Sequence, residues 1–453
     1  MLRSLLVFGA IIVGLRYSLK DPFYALLFYL WFAYFRPQEW LWSDFLSSLA
    51  PSMLVGILAL VGTVLRGRFS VSGAGWFLLL FLLHGFVSVL ASTVPGSAWP
   101  YWVDFAKVCV MGLLMLSLIT TEWHLRTTML TIAASLGFEG AKQGLVEFVR
   151  HPGASNMNPW PMLGDNNGVA VGMLMLTAIT IALSRTATNV WERRTAGVMA
   201  FGVLYRGLST YSRGGFLASA VLLMHFLMRA RRRVVAMLAA AVAAVIIVNV
   251  LPDAFWERMD TIPSVGATRE TDDQSILGRL HFWSVAADMA ADRPLTGVGL
   301  NAYNFVYDNY DTSHGAFGRG RSVHSSWFGI LAELGYPGIL LFIGLCVGAL
   351  LTTLGVRRRA RRDPRLTTLA DLAAGLEGAL LVFLVGGAFV PMQYNEMAWH
   401  VIVLCFVTGR VAARISARPP ADPPVPVPAA AAPARAVPPR VAARVPLARR
   451  SGR

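Results

Sequence analysis

The 453 residues are 55% hydrophobic and only 14% charged, with a mean hydropathy of +0.55. Soluble domains are about 45–50% apolar and about 25% charged, so a water-soluble globule is excluded and lipid must solvate much of this chain. The formal net charge of +15 is almost all arginine, set in short clusters between apolar runs, which is a membrane-orientation signal and not a nucleic-acid surface.

A helix needs about 20 apolar residues to cross the hydrocarbon core. Two shorter runs come first, 2–18 and 21–35, divided by Lys20 and Asp21; whether both cross is open. The first run lacks a small-residue cleavage site and leads straight into the next, so no removed leader is expected. Spans are then predicted over 51–66, 75–92, 102–120, 127–147, 166–184, 196–211, 214–229, 234–251, 325–352, 372–391 and 395–413. The fold class expected is an all-α polytopic membrane protein of about twelve transmembrane helices with one large, mainly helical loop outside. Cys109, Cys346 and Cys405 all fall within apolar runs and read as packing residues, with neither metal-ligand spacing nor loop partners.

Arg66 and Arg68, Arg185 to Arg194, Arg229 to Arg233, Arg357 to Arg365 and Arg410 to Arg418 follow alternate spans. The positive-inside rule makes those ends cytoplasmic and puts 93–101, 148–165 and 252–324 outside. The chain thus divides into N-terminal transmembrane helices (1–251), a large periplasmic loop (252–324), C-terminal transmembrane helices (325–414) and a tail (415–453). That tail alternates Pro, Ala and Arg and cannot build a core, so a disordered cytoplasmic extension touching anionic lipid is expected.

Charges inside spans are costly and become functional candidates. Lys142 follows Glu139 by three places on one helix face, where the two can pair. Arg206 lies within span 196–211. Arg213 sits in the hydroxyl-rich turn Ser209-Thr-Tyr-Ser-Arg-Gly-Gly215 on the outer side, against the positive-inside pattern, and an anionic ligand would account for it. In the outer segment 148–165, Asp165 of Gly164-Asp-Asn-Asn-Gly168 is placed to cap the next helix, with a lining role in a polar site as the other reading.

Within the loop, 275–291 has helical periodicity, with Ile276, Leu280, Trp283 and Ala287 as its apolar stripe and Arg279 beside that stripe. A turn follows at Asp292-Arg-Pro-Leu-Thr-Gly-Val-Gly299. The loop closes on Arg319-Gly-Arg-Ser-Val-His-Ser-Ser326, which sets His324 at the membrane–water boundary near Arg321. Asp272 and Asp273 lie in a polar stretch without a third ligand and read as solvated. No ATP is available outside the cytoplasm, so transfer chemistry there needs a pre-activated donor, and lipid-linked diphosphates are the membrane-resident kind. Guanidinium groups would neutralise a diphosphate leaving group, and a histidine would take the attacking hydroxyl's proton. Arg213, Arg279 and His324 form that set with no metal or other cofactor, and Arg206, Arg321 and Lys142 are possible additions.

These same residues carry a resemblance to the bacterial O-antigen ligase and polymerase superfamily. The similar features are Ser212-Arg213-Gly214, then Gly278-Arg279, Trp283, Pro294-Leu295, Gly297 and Gly299, and finally His324-Ser325, Glu333-Leu-Gly335 and Pro337-Gly338. Most relatives have His-Asn where this chain has His324-Ser325. Phe35-Arg-Pro-Gln38 and Gly164-Asp-Asn-Asn167 are similar to the subgroup of O-glycosylation ligases associated with exosortase systems. The resemblance covers about residues 1–415. It implies a helical inner-membrane glycosyltransferase that moves a preassembled glycan from undecaprenyl diphosphate to a hydroxyl of lipid A–core in the periplasmic leaflet, with inversion and without metal. It also implies that His324 is the catalytic base and that Arg213 and Arg279 hold the diphosphate. The acceptor stays open between lipid A–core, a growing lipid-linked glycan and a protein hydroxyl. A lipid-linked sugar transporter is the reading from another class; the missing internal repeat speaks against it.

Overall fold

The computed structural model describes residues 2–40, 50–230, 232–238, 241–242 and 270–417. Most of the predicted span 234–251, loop residues 252–269, the side chains of Asp272 and Asp273, and the predicted tail beyond Ala417 lie outside them. Among the described residues the secondary structure is helical, without strands.

Among the described residues fourteen α-helices have both ends defined, in chain order: α1 (Leu2–Lys20), α2 (Pro22–Phe35), α3 (Pro51–Leu65), α4 (Gly73–Leu90), α5 (Pro95–Leu118), α6 (Glu122–Arg150), α7 (Asn166–Arg185), α8 (Val190–Leu208), α9 (Arg213–Leu227), α10 (Glu270–Asp292), α11 (Tyr303–Tyr310), α12 (Ser326–Ala360), α13 (Thr367–Gly386) and α14 (Glu396–Ala417). Six are long and apolar enough to cross a membrane: α4, α5, α7, α12, α14, and α13 together with the turn before it. The apolar helices α2, α3 and α9 are shorter. Every predicted span within the described residues coincides with a helix, but their ends differ. α8 starts at Val190, not at 196, because Asn189 accepts from the Glu192 N–H and caps it. α6 starts at Glu122, where Thr121 accepts from the His124 N–H. α11 was not among the predicted elements. α14 runs three residues into the predicted tail.

α7 is the centre of the bundle. It is buried along almost its whole length and touches α6, α8, α9 and α13. Lipid tails are as apolar as leucine, so such packing depends on close approach and not on exclusion of water. The α6–α8 crossing shows how close. A methyl group on Gly144 would run into the Gly202 carbonyl, and one on Gly202 would lie 2.6 Å from the Ala141 oxygen. The opposite wall is α14, which packs against α5, α12 and α13 around the wholly buried Trp399.

The described part of the long loop is folded. Phe282, Val285, Met289, Val298, Tyr303, Val306, Tyr307 and Val323 form a second apolar core beside the main one. Asp311 secures its far end by accepting from the Ser313 N–H and hydroxyl, the Gly315 N–H and His281. Burial alone would raise the Asp311 carboxyl, but these donors outweigh it and hold the group well below the ordinary carboxylate range.

A break in α12 joins loop to bundle. Gly335 takes φ 65° and ψ −168°, and Pro337 has no N–H to give, so carbonyls before the break lose their helical partners. Outside donors replace them. The Val298 N–H donates to the Ala332 oxygen (2.9 Å), the Gly299 N–H and Ser88 hydroxyl to the Glu333 oxygen (3.2 and 2.7 Å), and His84 to the Leu334 oxygen (2.7 Å). In return the Tyr336 N–H donates to the Pro294 oxygen at 2.9 Å. The segment Pro294–Gly299 is therefore the clasp that holds the loop on the membrane helices.

Candidate active site

Arg213 is the first residue of α9. The sequence suggests a turn here, and the turn ends one residue earlier: Ser212 caps the helix by accepting from the Gly215 N–H at 3.2 Å. The Ser212 hydroxyl also donates to Asn167 Oδ1 (2.8 Å), and Asn166 Nδ2 donates to the Thr210 oxygen (3.3 Å). The Gly164-Asp-Asn-Asn motif and the Arg213 turn thus form one unit. Asp165 caps α7 as predicted, accepting from the Gly168 N–H at 3.0 Å.

Arg213 and Arg279 face the same cavity of about 440 Å³, whose other walls are Gly214, Leu217, Leu280, Trp283 and Phe389. Apart from the two guanidiniums the lining is apolar. Trp283 stacks on Phe328 with ring centres 5.2 Å apart, and its indole Nε1 is buried without a hydrogen-bond partner among the described residues.

Arg279 also lines a second, more polar cavity of about 350 Å³ with Gly278, Phe282, Ala316, Phe317, Arg321 and His324. Phe282 is its platform: the His324 ring centre lies 6.0 Å from that of Phe282, and the Arg321 guanidinium lies 5.5 Å over the same ring. His324 has φ 48°, a left-handed conformation for a residue with a side chain. Such backbone costs of order 1–3 kcal/mol and is kept where surroundings enforce it. Here the enforcement is Ser325, which caps α12 by accepting from the Phe328 N–H, and Val323, which is buried in the loop core. Ser and Asn are equivalent caps, so Ser325 fills a helix-capping position that either residue suits.

The electrostatics follow from this crowding. Burial, then the neighbouring Arg213, pulls the Arg279 guanidinium below its ordinary value, with Asp165 opposing. It stays cationic, so two like charges are held together. Burial, then Arg279 and Arg321, pushes His324 below the ordinary histidine value, again with Asp165 opposing. A histidine so placed is neutral at pH 7, with a ring nitrogen ready to accept a proton.

The structure therefore brings together Arg213, Arg279, Arg321 and His324. Arg206 lies elsewhere. It is wholly buried, and its guanidinium donates to Gln143 Oε1 (3.2 Å) and to the Asn156 and Asn158 oxygens (3.1 Å each), clamping the 156–158 segment onto the bundle. Lys142 is also separate. It pairs with Glu139 at 2.6 Å and lines a different cavity, bounded by α2 and α6. Sequence reasoning underrated Asp165, whose capping role masked its electrostatic one. It missed Phe389, Leu217 and Phe282, for which an apolar side chain in an apolar stretch gave no signal.

Residues 198–343 match the model of the family described as O-antigen ligase, a stretch that includes Arg213, Arg279, Arg321 and His324. Residues 2–189 match a family of unknown function. No curated protein matches the chain.

Proposed function

From a chain that belongs to the O-antigen ligase superfamily, we propose an O-antigen ligase that transfers a preassembled glycan from undecaprenyl diphosphate to a sugar hydroxyl of lipid A–core at the periplasmic face of the inner membrane. What carries this reading is the pair of cavities meeting at Arg279: an apolar one with Arg213 and a polar one with His324. An amphiphilic donor has that same division. Its polyprenyl chain suits Leu217, Leu280, Trp283 and Phe389, its diphosphate lies between Arg213 and Arg279, and its first sugar projects toward His324. Planar guanidiniums pair bidentately with phosphate oxygens, and the like-charge repulsion between them is relieved when the anion arrives.

The acceptor hydroxyl attacks the anomeric carbon from the side opposite the diphosphate. The carbon–oxygen bond to phosphate breaks, undecaprenyl diphosphate leaves with the electron pair, and His324 takes the hydroxyl proton. Direct displacement inverts the anomeric centre. Charge on the leaving group is met by Arg213 and Arg279. The step as drawn uses guanidiniums where other transferases use a metal. A polymerase or a protein O-glycosylation ligase would share this donor half and differ in what approaches His324.

The test is transfer by the purified full-length protein in detergent, with lipid-linked donor and lipid A–core. His324→Ala is expected to lower the rate by about 10²–10⁴-fold, the range for loss of a general base, with donor binding kept. Arg213→Ala and Arg279→Ala should weaken donor binding far more than acceptor binding. Full transfer by His324→Ala would remove the base assignment, and equal donor and acceptor defects in the arginine variants would remove the diphosphate assignment.

A further inference from the structure

One side of the polar cavity at His324 is formed by Ala316 and Phe317, which belong neither to a membrane helix nor to α10. They lie on the strap 311–321, which leaves the end of α11 and runs back toward His324. The strap is pinned at both ends. At its start the Asp311 carboxylate meets His281 Nε2 of α10 at 2.7 Å, and near its end the Gly320 N–H donates to Asp308 Oδ1 of α11 at 2.8 Å. Between the pins the Ala316 N–H donates to the Ser313 oxygen (3.2 Å) and the Gly318 N–H to the Gly315 oxygen (3.0 Å). Gly315 and Gly318 take φ 88° and 89°, a region that suits glycine, and these reversals return residue 317 to α10.

Phe317 is the side chain that the strap delivers. The His281 imidazole stacks on its ring, with centres 5.1 Å apart and planes 27° apart. The same histidine thus anchors the strap through Asp311 and backs the ring. Phe282 stands nearly perpendicular to Phe317, at 6.2 Å and 81°, so the two rings make an aromatic corner. Gly278 lies at its base. A methyl group there would sit 3.4 Å from Phe317 and 3.6 Å from Phe282, ordinary van der Waals distances. Alanine would therefore fit against the protein, and it suits a helix interior better than glycine does. Packing and helix stability do not call for glycine here; open space in the cavity does.

The polarised C–H bonds on the flat side of a sugar ring are attracted to the electron-rich face of an aromatic ring. The polar cavity shares Arg279 with the apolar one, so the group joined to a diphosphate held at Arg213 and Arg279 enters this corner. We infer that Phe317 and Gly278 determine donor specificity: the Phe317 ring receives the C–H face of the sugar linked to the diphosphate, and the missing side chain at Gly278 leaves the room which that sugar fills. The inference rests on the transferase reading above and names the residues that read its donor.

Binding is measured on the full-length protein in nanodiscs with two probes, undecaprenyl diphosphate and undecaprenyl diphosphate carrying a single glucose. The parent should bind the glycosylated lipid about fivefold more tightly, a gain that one or two weak C–H contacts supply. Phe317→Leu keeps apolar bulk without an aromatic face and should abolish that preference, whereas Phe317→Tyr should retain it. Gly278→Ala should weaken the glycosylated lipid by about tenfold, the effect of an added methyl in a filled space, with the melting temperature unchanged or raised. All three variants should bind bare undecaprenyl diphosphate as the parent does. Equal binding of the two lipids by the parent would overturn the inference. So would an equal loss of both lipids in Phe317→Leu and Gly278→Ala, because a wall that only supports Arg279 would act on the diphosphate itself. A Phe317→Leu defect confined to the KM for lipid A–core would place the ring on the acceptor and overturn it as well. A parent that binds neither lipid would remove the donor reading, and this inference with it.

Discussion

At the scale of single residues, His324 shows what the sequence discloses and what it conceals. Its place before a long apolar run, among arginines, is visible in the letters. Its left-handed backbone and its partial burial against Phe282 are products of tertiary packing. The charges around it make its titration testable. Arg321 holds the imidazole toward the neutral form and Asp165 opposes, so the two substitutions should act in opposite directions. The acid limb of kcat/KM reports the free enzyme's base. That limb should lie below the ordinary histidine value in the parent protein, move to lower pH in Asp165→Asn and to higher pH in Arg321→Gln. Movement of both variants in the same direction would show that the limb belongs to another group.

At the scale of elements, hydropathy located the helices because the period and length of the apolar runs survive folding. It misplaced starts wherever a polar cap and a charged first turn precede the apolar residues, as at Thr121 and Asn189. It passed over α11, whose eight residues mix Asn and Asp with the aromatics that enter the loop core. The Pro294–Gly299 and Glu333–Gly338 motifs were legible as motifs but not as two halves of one clasp, because the hydrogen bonds joining them run between segments about forty residues apart. That clasp can be tested at Gly335. An alanine there would meet φ 65° and bring its methyl 2.5 Å from the Pro294 oxygen. Gly335→Ala is expected to cost about 1–3 kcal/mol of strain or more and to loosen the loop. Faster hydrogen exchange at Val298 and Gly299, with exchange in α7 unchanged, is the expected signature. Uniform acceleration across the bundle would mean that the break stabilises the whole fold and not the loop junction. Glu377 is a comparable element-scale anchor. It is buried and accepts from Arg229 of the segment after α9 and from Arg357 of α12. Removing one partner of such a cluster leaves buried charge uncompensated, so Glu377→Ala should cost about 3–5 kcal/mol, read as a lower melting temperature in detergent.

At the scale of the whole molecule, the arginines that looked alike in sequence part into three groups. Arg213, Arg279 and Arg321 surround the His324 site, Arg206 is consumed inside the bundle, and Arg36 joins Lys142 in the cavity bounded by α2 and α6. Charge and position on a span did not separate them, because burial and partner geometry decide which guanidinium faces open space. The transfer chemistry needs one further condition, that the His324 face be the one where a lipid-linked glycan is displayed and no nucleotide is present. The alternation of basic clusters predicts that orientation, and surface labelling checks it. Cys109, Cys346 and Cys405 are all buried, so a single introduced exposed cysteine should dominate labelling. Ser155 precedes α7, Thr312 lies in the folded loop next to Asp311, and Ser416 lies in the last turn of α14; the first two are on the expected outer side and the third on the basic side. A membrane-impermeant maleimide should modify Ser155→Cys and Thr312→Cys in right-side-out vesicles and Ser416→Cys only in inverted ones. The reverse pattern would put His324 in the cytoplasm, where nucleotide-activated donors are available, and would remove the argument that its donor must be a membrane-resident diphosphate.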